Sequence, residues 1–172
     1  MSHKFPAPIP RPFHWLWKSC CQQKHITFFW LLLYDILNTR DMLQRKQIFI
    51  VDYTCVLCNS GSLETRDRLF FNCQFAQVCW KYLCPMMVFH HGLSHLDYIE
   101  QLKEQIQKPF FMEIIILCSR ALWLTRNDFI FNGKELDLYR CRAIFKYNLK
   151  WLKHRAARKK YGMYADWVDC FI

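Results

Sequence analysis

Cys55-Val56-Leu57-Cys58, followed by Cys73, fixes more about this chain than any other stretch. Two cysteines separated by two residues can present both thiolates to one tetrahedral ion, and Cys73 offers a third. In a chain with 10 cysteines, one Cys-x-x-Cys pair is by itself a weak signal. Structural zinc sites are closed by four ligands, so a fourth group has to stand nearby. Where that ligand is expected, on the strand or turn before Cys73, the sequence has Arg68. A guanidinium stays protonated and offers no lone pair, so it cannot ligate zinc. The competing reading of Cys55, Cys58 and Cys73 is three plain buried thiols.

The rest of the chain reads as helical. Apolar residues make up 53% of 172 residues, enough for a core, and only 4 are glycine. Gly61, Gly92, Gly133 and Gly162 stand apart, so no glycine-rich phosphate loop can be built. Pro6, Pro8, Pro10 and Pro12 predict a disordered or extended arm over residues 1–12. The pattern from Phe13 to Lys46 is helical, with a break at Asn38-Thr39, where Thr39 can cap a short helix Arg40–Arg45. Ile48-Phe49-Ile50-Val51 is a β-prone run leading into the cysteines. Glu64 to Phe71 reads as a short strand or a helix start, and Cys73–Leu83 as a helix. Pro85–Lys108 is uninformative apart from a loop at His90-His91-Gly92. Phe110–Phe131 reads as a core helix, ended by a turn at Asn132-Gly133. A last helix is expected from about Leu136 to Lys160, burying Leu138, Cys141, Phe145, Leu149, Leu152 and Ala156.

The formal charge is +10, and from Tyr139 to Tyr161 no acidic residue occurs among the lysines and arginines. Such a helix can lie along phosphates. Lys146, Lys150, Lys153, Arg158 and Lys159 are the candidate contacts, with Tyr147 or Trp151 placed to stack on a base. The bland alternative is a solvated face that keeps the domain in solution, and a membrane-surface helix is a weaker third reading. The two most apolar stretches, Ile26–Leu37 and Phe110–Leu124, are too short or too interrupted to span a bilayer. Without an apolar secretory segment near Met1, the cysteines are expected to be reduced and the protein nuclear or cytoplasmic.

Enzyme readings fail on their residues. Tyr164-Ala165-Asp166-Trp167 is similar to the Tyr-x-Asp-Asp of polymerases, but Trp167 stands where a second metal-binding carboxylate belongs. His90, His91 and His95 lack partner ligands at metal spacing, and a surface loop is their default.

The stretch Cys55-Val-Leu-Cys58-Asn-Ser-Gly-Ser-Leu-Glu64-Thr65-Arg66-Asp67-Arg68-Leu69-Phe70-Phe71-Asn72-Cys73 resembles the reverse-transcriptase zinc-binding domain of plant non-LTR (LINE-type) retrotransposons. The lead-in Phe29-Trp30-Leu31-Leu32 through Leu37-Asn38-Thr39-Arg40-Asp41 and the later Trp123-Leu-Thr-Arg126-Asn127-Asp128-Phe-Ile-Phe131 share the resemblance. The family has three cysteines and a histidine directly before Leu-Phe-Phe. The resemblance carries the cysteines onto Cys55, Cys58 and Cys73, while Arg68 holds the histidine's place. Asp67 and Cys79 are the nearest substitutes in sequence, at other spacings. The expectation is weak or absent zinc affinity, restored by Arg68→His.

The reading is therefore a mainly α chain, a single helical domain with a small cysteine-bearing, zinc-knuckle-like insert. Residues 13–108 form the reverse-transcriptase zinc-binding-like domain and 109–172 a C-terminal helical region with the basic amphipathic helix. The implied function is a non-enzymatic, retrotransposon-derived module making an auxiliary contact with RNA or DNA. The alternative is a degenerate fragment or protein-interaction domain that binds neither metal nor nucleic acid.

Overall fold

The fold is built around one helix whose first half is enclosed on every side. From Met112 to Ser119 every residue is buried, and a helix apolar on all sides has to be enclosed by others. In the computed structural model, which describes residues 14–85, 87–90, 92–156 and 162–171, this helix spans Phe111–Asn132. In chain order the helices are α1 (His14–Lys18), α2 (Gln23–Leu33), α3 (Arg40–Arg45), α4 (Gln74–Leu83), α5 (His95–Ile106), α6 (Phe111–Asn132), α7 (Leu138–Ala156) and α8 (Gly162–Phe171). A π-helical turn, Arg68–Asn72, precedes α4. Among the described residues there is no strand, only a single antiparallel bridge between Thr54 and Leu63. No described helix is long and apolar enough to cross a membrane.

α6 packs against α2, α4, α5 and α7, and α8 closes over α7. One continuous core runs from Leu16 and Phe29 through Phe70, Phe71 and Trp80 to Ile115, Leu122, Leu149 and Val168. It therefore draws on residues from both sides of position 108. Aromatic rings tie the parts together: Phe71 stacks on Tyr98 at 5.0 Å and on Trp80 at 6.0 Å, and Phe70 stacks on Trp123 at 6.3 Å.

Several element ends follow directly from local chemistry. Thr39 caps α3 by accepting from the Met42 amide. Gly133 ends α6 at φ 59°, a left-handed conformation natural to glycine. The last long helix buries Cys141, Phe145, Leu149, Leu152 and Ala156, while Leu138 at its start is only half-buried.

One expectation needs correction, and two helices join those expected. The β-prone run Ile48–Val51 forms no strand, because no second extended segment lies beside it; Phe49 and Val51 stand 87% and 98% exposed. Pro85–Lys108, unassigned from sequence apart from the loop at His90-His91-Gly92, contains α5. Beyond the expected last helix a further one, α8, packs back on α7. The proline arm over residues 1–12 and the tract 157–161 lie outside the described residues.

Candidate metal centre

The three cysteines arrive from two directions. Cys55 and Cys58 sit in a loop whose base is closed by Cys55 N–H donating to the Ser62 carbonyl at 2.8 Å and Glu64 N–H donating to the Tyr53 carbonyl at 3.0 Å. Gly61, at φ 66°, turns that loop. Cys73 is the N-cap residue of α4, directly after the π-helical turn. Leu69, Phe70 and Phe71 of the turn are fully buried, and this anchoring fixes the direction from which Cys73 enters.

The result is one compact cluster: the Sγ atoms of Cys55, Cys58 and Cys73 all lie within 4.8 Å of one another. No other group of three or more His, Cys, Asp or Glu residues gathers so closely among the described residues. Zinc–sulfur bonds of about 2.3 Å put tetrahedral thiolates about 3.8 Å apart, so three donors are near metal-binding spacing. Cys55 and Cys73 are buried and Cys58 is half-buried. The two buried thiols are unlike. Cys73 is pulled toward the thiolate by a hydrogen bond from the Cys55 thiol and by the Ala76 and Phe75 amides in the first turn of α4. The Cys55 thiol is held protonated by that same hydrogen bond and by burial.

The fourth position is filled by a cation. Arg68 sends Nη2 to within 3.5 Å of Cys58 Sγ, and the nearby sulfurs hold its guanidinium more firmly charged. Its Nε is buried with no hydrogen-bond partner. A donor set of three thiols and a guanidinium does not fit a closed zinc site, which needs four lone-pair ligands. The sequence substitutes do not repair it. Asp67 is engaged by Arg66 Nε at 2.8 Å, and Cys79 donates to Cys141 Sγ at 3.5 Å, on the side of α4 toward α7.

Behind the cluster lies a residue that the spacing argument missed. Glu64 is fully buried and ties four parts of the chain together. Its carboxylate accepts from Arg126 Nη2 of α6 at 2.7 Å, from the Arg40 amide at the start of α3 at 3.1 Å, and from the Val56 amide inside the cysteine loop at 3.4 Å. The available signal was Arg126 itself, a charge in the middle of an apolar helix that has to find a buried partner.

The histidines do not assemble. His90 is exposed and His91 lies outside the described residues. His95 is not on a surface loop: it opens α5, with Nε2 at 3.5 Å from Arg66 Nη1 and Nδ1 at 3.9 Å from Asp67. Tyr164 is buried in α8 and donates to the Leu149 carbonyl at 3.0 Å.

The basic helix is α7. Lys150 is exposed on it, with Tyr147 and Trp151 61% and 53% exposed and in edge contact at 6.2 Å. Lys146 and Arg142 lean over the Tyr82 ring at 6.0 and 4.2 Å. Lys153 is paired with Asp169 of α8 at 2.6 Å, and Arg140 with Asp128 of α6 at 2.6 Å. The stretch without acidic residues is thus partly neutralised by carboxylates from neighbouring helices. Arg158 and Lys159 lie outside the described residues.

Residues 3–80 match the protein family described as zinc-binding in reverse transcriptase. The matched stretch includes all three cysteines and Arg68, and it supports a reverse-transcriptase zinc-binding domain over that part of the chain. Comparison with curated proteins and with solved structures returned no significant match.

Proposed function

We propose that this chain is a non-enzymatic module of retrotransposon origin, from the plant LINE-type lineage, that makes an auxiliary contact with RNA or DNA. The observation that carries the reading is the outer face of α7, where Lys150, Tyr147 and Trp151 stand in solvent on a helix anchored by its other face. Lysines there displace counterions from phosphates, and the two rings offer stacking surfaces to unpaired bases. The family match supplies the context, a domain that accompanies reverse transcription. Residues 13–108 carry the zinc-binding-like part and 109–172 the C-terminal helical region with the basic helix, the two sharing one core, and the working location is nuclear or cytoplasmic.

The test is fluorescence anisotropy with labelled RNA and DNA oligonucleotides at two salt concentrations. Affinity is expected to fall steeply with salt. Lys150→Gln should flatten the log–log salt slope by about 0.7 to 0.9, the share of one lost phosphate contact. Lys153→Gln should change it less, because Asp169 already neutralises that ammonium. Salt-independent binding, or none, would rule the mechanism out.

A second reading has its own observation. Val51 and Phe131 are exposed at a cavity of about 370 Å³ shared by the 50–52 loop and the end of α6, and Phe49, two residues before Val51, stands in solvent. That surface suits a protein-interaction fragment with no nucleic-acid ligand. Absence of oligonucleotide binding, together with self-association or partner capture lost on Phe49→Ser, would favour it.

A further inference from the structure

A metal in a cysteine knuckle does two mechanical things: it neutralises thiolates, and it staples a loop to a helix that would otherwise be free to separate. Both tasks have a non-metal occupant in this chain. Arg68 reaches Cys58, in the loop, through its guanidinium at 3.5 Å. The same residue holds Cys73, at the head of α4, because its carbonyl accepts the Cys73 amide at 2.8 Å. Its own amide donates to Thr65 Oγ1 at 3.1 Å, which fixes the π-helical turn from which the side chain projects. One residue therefore spans the gap that an ion would bridge.

The loop is also held from behind without any metal. Glu64 accepts from the Val56 amide between Cys55 and Cys58 and is itself gripped by Arg126. Leu57, between the same cysteines, is buried in the main core. The cluster closes through hydrogen bonds, an ion pair and apolar burial.

We infer that Arg68 replaces the metal: its guanidinium is an internal cation that closes the Cys55–Cys58–Cys73 knuckle, so the module folds and stays folded without zinc. The inference concerns the knuckle alone and is independent of whether α7 contacts nucleic acid. It makes position 68 a switch between two ways of closing one site, since a side chain there already points at Cys58. Histidine would bring a lone pair to the three thiols, whereas arginine brings a charge.

The experiment uses the full chain, purified reduced from zinc-supplemented medium, as wild type, Arg68→His and Arg68→Met. Zinc per chain is measured by elemental analysis, cobalt binding by thiolate charge-transfer absorption, and stability by urea unfolding with and without a chelator. Wild type should carry substoichiometric zinc and show the same urea midpoint with and without chelator. Arg68→His should take up one equivalent of zinc, bind cobalt more tightly than wild type by at least the roughly 10-fold that even an outer-shell partner contributes, and become chelator-sensitive. Arg68→Met, which removes the charge and supplies no comparable ligand, should lose stability that zinc does not restore. Stoichiometric zinc in wild type, with a midpoint that falls on chelation, would overturn the proposal. So would an Arg68→Met protein as stable as wild type. If Arg68→His does not fold, the wild-type zinc content and chelator response still decide the matter.

Discussion

At the scale of single residues, the most consequential interaction is the ion pair between Glu64 and Arg126. Both side chains are almost fully enclosed, at 0% and 4% exposure, so neither charge can turn to water if its partner is lost. Such a pair contributes little over a hydrophobic substitute, but breaking it from one side leaves a buried charge uncompensated. Arg126→Met should therefore cost about 3–5 kcal/mol in urea unfolding. The double variant with Glu64→Gln should recover part of that loss, because no bare carboxylate remains. A loss under about 1 kcal/mol in the single variant would mean that the two backbone amides at Glu64 suffice to hold it. The pair also couples the cysteine loop to the central helix, so Arg126→Met should expose Cys58 to thiol-specific reagents more than wild type does.

At the scale of elements, α5 is a helix set by its first turn. Ser94 and Asp97 form a reciprocal capping box: the Asp97 amide donates to Ser94 Oγ at 3.3 Å, and Ser94 N–H donates to Asp97 Oδ2 at 2.9 Å. Ser94→Ala should lower stability by about 1 kcal/mol in denaturant melts, and Ser94→Thr should keep most of it. An unchanged Ser94→Ala midpoint would show that burial of Tyr98, Ile99 and Leu102 alone holds the helix. The box stands in the sequence as Ser-x-x-Asp, yet Glu100, Lys103 and Glu104 among the apolar positions after it concealed the helix. Thr39, by contrast, could be read as a cap because the helix behind it was unmistakable. The limits of sequence reading are physical. Ile48–Val51 has strand propensity, but a strand needs a neighbour, and propensity does not supply one. Cys55, Cys58 and Cys73 were found by spacing, and Arg68 by its place in that spacing. Glu64 and Arg126 are 62 residues apart, a pairing that no local period encodes. The neutralisation of Lys153 by Asp169 was hidden for the same reason, since α8 had to fold back first.

At the scale of the whole molecule, two histidines, His25 buried and His95 half-buried, link stability to pH. His25 of α2 has its pKa lowered to about 4, chiefly by burial, with Lys24, Arg120 and Arg155 adding repulsion. His95 at the head of α5 is likewise lowered to about 4, by burial and then by Arg66, against the opposing pull of Asp67, Asp35 and Asp97. In the unfolded chain both rings titrate near their ordinary value of about 6.5. Below that value the unfolded state binds protons that the folded state refuses, so stability is fully present above about pH 6.5 and drains away as pH falls toward 4. Each ring contributes at most about 1.4 kcal/mol per pH unit inside that window. The carboxylates held low by hydrogen bonds, Asp52, Asp97 and Asp128, titrate below it and leave the window to the histidines. Urea unfolding from pH 7 to 4.5 should therefore show a free energy that falls steadily, with His25→Gln and His95→Gln each removing about half of the slope. A flat profile in wild type would mean that the core opens enough to hydrate both rings. A slope that survives in the double variant would assign the pH dependence to groups other than these two. Because His25 lies on α2, which packs against α6, while His95 sits beside the turn that carries Arg68, equal losses from the two variants would also show that helix bundle and knuckle unfold as one unit.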